Sequence, residues 1–484
     1  MIKHHGGKMI YKILYTIRRS ILLIMLLFFV LQFSNMNGQT SLQEDLPSGI
    51  SQYPYYNSHD SLSNITASSK NYWLPATEIV SLNIIVWSYS KFLTKRSFAD
   101  ISWETVKNNF STGFVWDNDR YITNQFMHPF HGSNYFNASR ANGLNFWESS
   151  AYTFGGSLMW EMFMEKEAPS FNDLVNTTVS GITLGEISNR VSNLIIDESS
   201  VGLERVIREL SSTLINPMQG FNRLIKGDMW SRGLSNELPD FHFTFSTGIH
   251  NVFFNNRINN NKSYLTLRVN LDYGNQFNVS EHEKPFDYFT LHVEANIGKG
   301  NDIFGIIASG VVWDRNVKLF NSSRNIVGIY KEIDILTNDI YKFSATSLTG
   351  QLINTVKISP AIRMKNYLGL SAILMGATNS KYAVEADRDY NIGPGVSGKV
   401  GIVLELKNFG ELNANYKRYW IHTLSGAESE EFVGLLNVGV NYQIREKCFW
   451  GLDYLLYERY GDYKYYPNTQ DSNSAIRLYI KQII

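Results

Sequence analysis

The sequence predicts an α + β protein: an N-terminal helical domain followed by an antiparallel transmembrane β-barrel of about twelve strands. Three observations predict it. Near Asp240 the period of the apolar residues changes from about 3.6 to about 2. Beyond that point the alternating segments run to about ten residues, apolar on one side and polar on the other, the pattern of outer-membrane barrel strands. Composition agrees: 18% of residues are charged and 14% aromatic, with 28 Tyr and 29 Phe, against about 25% charged in soluble domains. A soluble sandwich also alternates, but it would show this many aromatics with so few charges more weakly.

The first segment reads as a secretory signal over residues 1–38. Lys3, Lys8, Lys12, Arg18 and Arg19 precede the apolar run ILLIMLLFFVLQF, and no acid occurs before Glu44. That run is short of the about 20 residues a spanning helix needs, so it is expected to be cleaved near Gln39 rather than retained as an anchor. Its loss leaves 39 basic against 44 acidic residues, a net charge of −5, and no basic excess to attract nucleic acid. The single cysteine, Cys448, excludes an intrachain disulfide, a multi-cysteine metal site and a redox pair. Residues 39–70, rich in Ser and Asn, read as a flexible leader.

A helical domain is expected over residues 71–235. Pro75 opens a run, PATEIVSLNIIVWSYSKFL, at a good first-turn position. A short helix is expected near residues 101–106, and a long apolar one from Ala138 to Met164, broken near Asn142 and Gly143. Residues 184–196 and 201–215 complete the set, with Pro217 ending it.

The barrel is expected over residues 240–484. In YLTLRVNLDY, Leu265, Leu267, Val269, Leu271 and Tyr273 alternate with Thr266, Arg268, Asn270 and Asp272. YFTLHVEANIG, LNVGVNYQI and the C-terminal residues Ile476 to Lys481 repeat the pattern. Aromatics such as Tyr264, Phe289, Trp313, Trp420 and Trp450 stand near strand ends, as girdles do. Short turns at 298–300, 407–410 and 445–447 are expected on one side of the membrane. A count of twelve does not place all three there without one strand more or fewer between Asn321 and Tyr390.

Polar residues concentrate between Asn124 and Glu186. His128 and His131 stand three apart, followed by the carboxylates of Glu148, Glu161, Glu165 and Asp173. Imidazole with carboxylate suits metal ligation or proton transfer. The HPFH spacing is no recognised ligand motif, and the blander role for His128 is orienting a helix start. Glu148, in an apolar stretch, needs a partner if buried; Arg140 and Arg223 are the candidates, in a bridge that pins helices. Ala151, Gly155, Gly156, Gly181 and Gly185 read as close-packing positions, and Ser170 as a helix cap with Asp173 three residues on.

These residues resemble a known family, the Bacteroidota envelope proteins grouped as domain of unknown function 3943. The resemblance rests on His128-Pro129, Gly132, Tyr135, the stretch ASRANG at 138–143, FWES at 146–149, GSLMWE at 156–161, Glu165, Pro169-Ser170 and Asn172-Asp173. A second patch holds Asn216-Pro217, Gly220, Asn222-Arg223 and Gly227. It covers about residues 110–230 and implies no mechanism, since the family has no established activity.

Glu161 and Glu165, four apart in an apolar run, share a helix face. Lys166, Arg190, Arg205 and Arg208, or lumen residues such as Arg268, Asp272 and Glu294, are the expected partners of that stripe. The helical domain is thus expected to plug the barrel or to dock beneath it in the periplasm. Arg140, Trp147, Trp160, Glu165, Asp173 and Arg223 are then docking or structural residues. The functional expectation is an outer-membrane protein, exported by its signal, with a transport, gating or structural role. The other is a membrane-lipid or envelope-polymer hydrolase or transferase using His128, Glu148 and Glu161. No cofactor is expected, His128 and His131 are the only metal candidates, and outer-membrane lipid is the expected partner.

Overall fold

A computed structural model describes residues 70–484 except 118, 236–237, 256, 258–259, 299–302, 320–322 and 384–388. The expected signal and nearly all of the leader lie outside the described residues.

The helices are α1 (Trp73–Ser88), α2 (Trp103–Thr112), α3 (His128–Arg140), α4 (Phe146–Phe163), α5 (Phe171–Val175), α6 (Gly181–Ile195), α7 (Gly202–Ile215) and α8 (Pro217–Lys226). Wide π-helical turns follow α1 (Tyr89–Leu93), precede α3 (Thr123–Met127) and join α5 to α6 (Asn176–Ser180). Gly143 breaks the chain between α3 and α4 at φ +85°, a backbone state that costs glycine little. Pro217 does not end the helices as expected. Asn216 Oδ1 accepts from Gln219 N at 3.0 Å, and Pro217 opens α8, where its fixed φ fits and its missing N–H costs nothing.

Residues 188–238 form a compact unit of their own. There Arg223 grips Glu209 with two donors, at 3.1 and 2.9 Å, and reaches Glu198 at 3.3 Å. Arg205 also pairs Glu209, and Arg208 pairs Glu204.

Residues 71–187 form the other unit together with the barrel. Its strands are β1 (Phe241–Phe254), β2 (Asn261–Tyr273), β3 (Phe289–Gly298), β4 (Ile303–Val317), β5 (Ser323–Thr337) and β6 (Lys342–Ser359). The second half is β7 (Ile362–Asn379), β8 (Tyr390–Leu406), β9 (Gly410–His422), β10 (Ser429–Arg445), β11 (Cys448–Tyr463) and β12 (Thr469–Ile483). Each pairs antiparallel with the next, and β12 pairs with β1 to close the barrel. The twelve strands stand, and the expectation about the turns fails instead. The end of β3 lies opposite the ends of β8 and β10, because an odd number of strands intervenes; residues 299–300 of the first expected turn lie outside the described residues. The turns after β6, β8 and β10 share an end with both termini of the barrel.

Residues paired across strands share a face. Glu332, Ser347, Ile373 and Gly395 form one such inward row. Lys331 and Leu348, one position along, face outward. Inward residues include the buried charges, Asp334 at 0% and Arg477 at 2% exposed, with buried aromatic and aliphatic residues such as Phe343 and Ile373 among them. Outward residues are apolar and open: Leu370 is 72% and Leu368 60% exposed, with Val396, Val400, Leu452, Leu478 and Ile480 beside them. A water-soluble sandwich has the opposite arrangement.

The helices meet this barrel on its outer wall. Tyr121, Trp116 and Val175 pack on Met375, Ala377, Tyr390 and Ile392. These four face outward. Leu374 bulges, so Met375 pairs Thr346 and Ala377 pairs Ser344, both in the outward rows of Ile333 and Ile335. Gln125 accepts from outward-facing Ser344 at 2.7 Å. Near the other end Phe146 stacks on Phe286, whose ring fills the space a Cβ on Gly310 of β4 would take. A plug would touch inward side chains, so the expected plug is corrected: these contacts lie on the outside, along the strands.

Candidate functional site

Two polar clusters are buried in this unit. The first lies in the helices, where a close crossing builds it. A Cβ on Gly132 would sit 1.7 Å from the Thr177 carbonyl oxygen, and one on Gly181 2.7 Å from Gly132 Cα. Only paired glycines allow α3 and the turn before α6 to approach so closely. Gly156 does the same work against Tyr135 and Ile79, while Gly155 faces open space. The Gly132–Gly181 crossing sets His128 beside Thr177, with Nδ1 3.1 Å from Thr177 Oγ1, and beside Asp173, with Nε2 3.8 Å from Oδ2.

Asp173 belongs to α5, which Ser170 caps by accepting from Asp173 N at 3.1 Å. Its Oδ1 accepts from Asn172 Nδ2 at 2.9 Å. Asp117 also accepts from Asn124 and Asn172, both at 2.7 Å. Asn124 in turn reaches the Tyr390 hydroxyl on the barrel wall at 2.5 Å. Glu161 accepts from Ser170 N at 2.8 Å with Oε2, and its Oε1 has no hydrogen-bond partner among the described residues. Glu165, past the end of α4, accepts from Trp160 Nε1 at 2.7 Å. His131 stands edge-on to Trp160, ring centres 5.1 Å apart, with Nε2 buried and unpartnered among the described residues.

Among the described residues no lysine or arginine pairs with Glu161, Glu165 or Asp173. Burial, with Glu165 nearby, holds the Glu161 carboxyl well above its usual range. Burial and the Asp117 charge do the same to Asp173, and burial raises Glu165 to about 8. Burial pushes His128 down to about 4, against the pull of Asp117, and His131 to about 3. The fold therefore keeps protons on carboxyls and off imidazoles. Among the described residues no three His, Cys, Asp or Glu groups are placed to hold a metal ion.

Of the residues singled out in sequence, the structure gathers His128, Glu161, Glu165 and Asp173 with Trp160. Glu148 lies elsewhere, at the start of α4. It forms a capping box with Asn145, at 2.8 and 3.0 Å, and accepts from the Tyr72 hydroxyl at 2.9 Å. Arg140 pairs Glu186 at 3.0 Å and donates to Leu144 O; Arg223 pairs Glu209. Neither bridges Glu148. Trp147 is exposed. The Glu161–Glu165 stripe finds no basic partner, since Lys166 pairs Glu167 and the lumen charges pair one another. Asp117 is not singled out in sequence, while Asn124 and Asn172 stand there only as the start of the polar stretch and as part of the family resemblance, without a role. Their only signal is an asparagine-rich run without periodicity, which reads as loop.

The second cluster fills the barrel. Lys399 bonds Glu332 and lies 3.3 Å from Asp334, which also accepts from the Tyr419 hydroxyl at 3.0 Å and meets Lys417 at 3.5 Å. Across the lumen Arg477 pairs Glu294 at 2.5 Å and Asp453 at 3.3 Å, and Arg268 shares Asp453 at 3.1 Å. A buried apolar layer of Phe343, Tyr419, Tyr457 and Tyr264 lies among them. A cavity of about 120 Å³ remains, lined by Arg268, His292, Glu294, Arg477, Tyr341 and Tyr457 among others.

Fold and clusters together define a class: a closed twelve-stranded antiparallel barrel with a helical domain on its outer wall. Residues 113–218 match the family model described as Domain of unknown function (DUF3943). No curated protein matches the chain. Among solved structures it is similar to the Pseudomonas putida toluene transporter TodX, at 7% identity over 50% of this chain and 88% of that one, with a TM-score of 0.23. The outer membrane channel DcaP of Acinetobacter baumannii aligns at 9% identity over 51% and 97%, TM-score 0.23. An outer membrane channel from Pseudomonas putida F1 aligns at 6% over 51% and 97%, TM-score 0.29. Scores this low carry no argument, and the barrel stands on its own strand register.

Proposed function

We propose that this chain is an integral outer-membrane β-barrel protein with a lumen closed by its own side chains, serving a gated transport or a structural role. One observation carries the reading: the barrel wall exposes Leu368, Leu370, Val396, Val400, Leu452 and Leu478, while Glu332, Asp334, Lys399, Arg268, Asp453 and Arg477 are buried inside. Such a surface is unfavourable in water and suited to hydrocarbon. Export by an N-terminal signal and an origin in Bacteroidota go with this reading. The filled lumen supports a closed resting state. Reconstituted into phospholipid vesicles, the protein is expected to float with lipid, to resist protease along its strands, and to show no steady conductance. Protein that stays in the aqueous fraction without detergent would falsify the reading.

A second reading, a membrane-lipid or envelope-polymer hydrolase or transferase, is favoured by the buried His128–Asp173 contact beside the unpartnered Glu161 oxygen. It predicts that His128→Ala abolishes turnover of a labelled phospholipid or glycan. Absence of turnover by the intact protein in membranes removes this reading.

A further inference from the structure

We infer that the helical flank, residues 71–187, shares the lipid belt of the barrel: its outer face contacts membrane hydrocarbon. The inference rests on the outer-membrane reading above and goes beyond it.

The first argument is position. Met375 and Ala377 carry the helices, while Leu370 and Leu374 of the same strand are open. The helices therefore occupy wall area at the depth where neighbouring strands meet lipid. Their contacts run from the start of β8, at Tyr390, to the far part of β4, at Gly310.

The second is polarity. The interior of the flank holds Asn83, Asn137, Thr153, Ser157 and Glu161, all buried. Val80, Ile84, Ile85 and Phe154 on α1 and α4 face out, Ile85 being 64% exposed. A helix of a soluble protein turns its apolar stripe inward. Here the stripe is outside, and the polar groups inside bond to protein: Asn83 to Gly156 O and the Tyr135 hydroxyl, Thr153 to Ser149 O, and Glu161 Oε2 to Ser170 N.

The third is the layout of the ends. The starts of α1 and α4 lie together, joined by the Tyr72–Glu148 and Tyr152–Tyr72 hydrogen bonds, and expose Tyr72, Trp73 and Trp147. Among the described residues of the flank, exposed charges sit at the other end: Lys95, Arg96, Asp100, Glu104 and Lys107, with Asp119, Arg120 and Glu167. Amphipathic aromatics at one boundary and charges at the other bracket an apolar middle, as at two membrane interfaces. The 16 residues of α1 rise about 24 Å, close to the about 25 Å apolar band of outer-membrane barrels. No described helix is long and apolar enough to cross a membrane alone; lateral packing on the barrel satisfies their polar faces.

Spin labels test this in phosphatidylcholine vesicles, on a Cys448→Ser background. Labels are placed at Ile84→Cys and Phe154→Cys on the flank, Leu370→Cys on the barrel wall and Lys107→Cys at the charged end. Collision with oxygen, against collision with a water-soluble nickel complex, is expected to shift to the lipid side for Ile84 and Phe154. Their values should be level with Leu370 and well above Lys107. Flank labels that behave like Lys107 while Leu370 reads lipid overturn the inference and leave the barrel in the membrane. Flank labels shielded from both reagents overturn it in favour of a protein partner. A Leu370 label in water overturns the outer-membrane reading and this inference with it.

Discussion

The barrel and the helical flank share one inversion and differ in what they hide. Both put apolar side chains outside and polar ones inside. In the barrel the hidden charges are matched: Lys399 with Glu332 and Asp334, Arg477 and Arg268 with Glu294 and Asp453. In the flank the hidden acids Glu161, Glu165 and Asp173 meet amide, indole and hydroxyl groups and a histidine, and no lysine or arginine among the described residues. A buried charge must be paired, or it must be neutralised by a proton. The barrel takes the first course and the flank the second. The barrel interior is therefore a fixed electrostatic lattice, and the flank interior is one that pH can rewrite.

The largest expected effect breaks the matched lattice. Lys399→Met removes the cation from between Glu332 and Asp334, leaving Lys417, 3.5 Å away, to serve Asp334 alone. Removing one partner of a buried pair costs about 3–5 kcal/mol. The urea midpoint of the barrel in detergent is expected to fall accordingly, with the helical amides of the flank losing protection only when the barrel does. An unchanged midpoint would show that Lys399 contributes little and that the barrel, too, stores protons rather than pairs.

The sequence made these two interiors unequally legible. A strand has a period of two, so the inward places of Arg268 and Glu294 follow from YLTLRVNLDY and YFTLHVEANIG without knowledge of partners. Twelve strands and their closure were likewise readable. The bulge at Leu374, which turns Met375 outward to receive the helices, leaves no mark in the pattern. In the flank, the spacing of Glu161 and Glu165 predicts a shared helix face, but α4 ends at Phe163 and Glu165 reaches the same interior from beyond the helix end. Two acids on an apolar helix suggest basic partners on a neighbouring helix or in the lumen, hence the expectation of a domain that plugs the barrel or docks beneath it. The inverted packing answers the puzzle of that stretch: the acids are the inside. Asp117, remote in sequence and on a loop, had no periodicity to betray it.

A middle effect sharpens the contrast through pH. Glu165 is pushed up to about 8, so the fold keeps a proton that the unfolded chain loses near the usual carboxylate value of about 4.3. The stability tied to it is full below that value and drains away as pH rises through about 8. His128 and His131, pushed down to about 4 and about 3, act in the other direction. Their contribution is complete above about 6.5 and is lost as pH falls through the lowered values. The flank should therefore be firmest between about pH 4.3 and 6.5, by hydrogen exchange of the α4 amides. Glu165→Gln keeps an acceptor for Trp160 and cannot ionise. It is expected to stabilise the flank at pH 8 by about 2 kcal/mol, a figure reduced for its coupling to the neighbouring acids. An alkaline limb that survives this substitution would place the titration on other groups.

The smallest effect concerns the carboxylate that belongs to neither interior. Glu148 was grouped with His128 and Glu161 by sequence, yet it lies at the surface of the flank, where it closes the capping box of α4 and receives the Tyr72 hydroxyl. A capping contact of this kind is worth about 1 kcal/mol. Glu148→Gln keeps one oxygen to accept from Asn145 N, and its NH2 can donate to the Tyr72 hydroxyl in place of the second oxygen, so it should be nearly silent, and Glu148→Ala should loosen only the first turn of α4. Neither should displace the pH maximum, because the acids that set it lie near the other end of that helix. If Glu148→Gln moved the maximum, or removed an activity that His128→Ala also removes, the carboxylate would have to reach the cluster in some state of the protein. The division between a structural helix start and a proton-holding interior would then fail at its most exposed member.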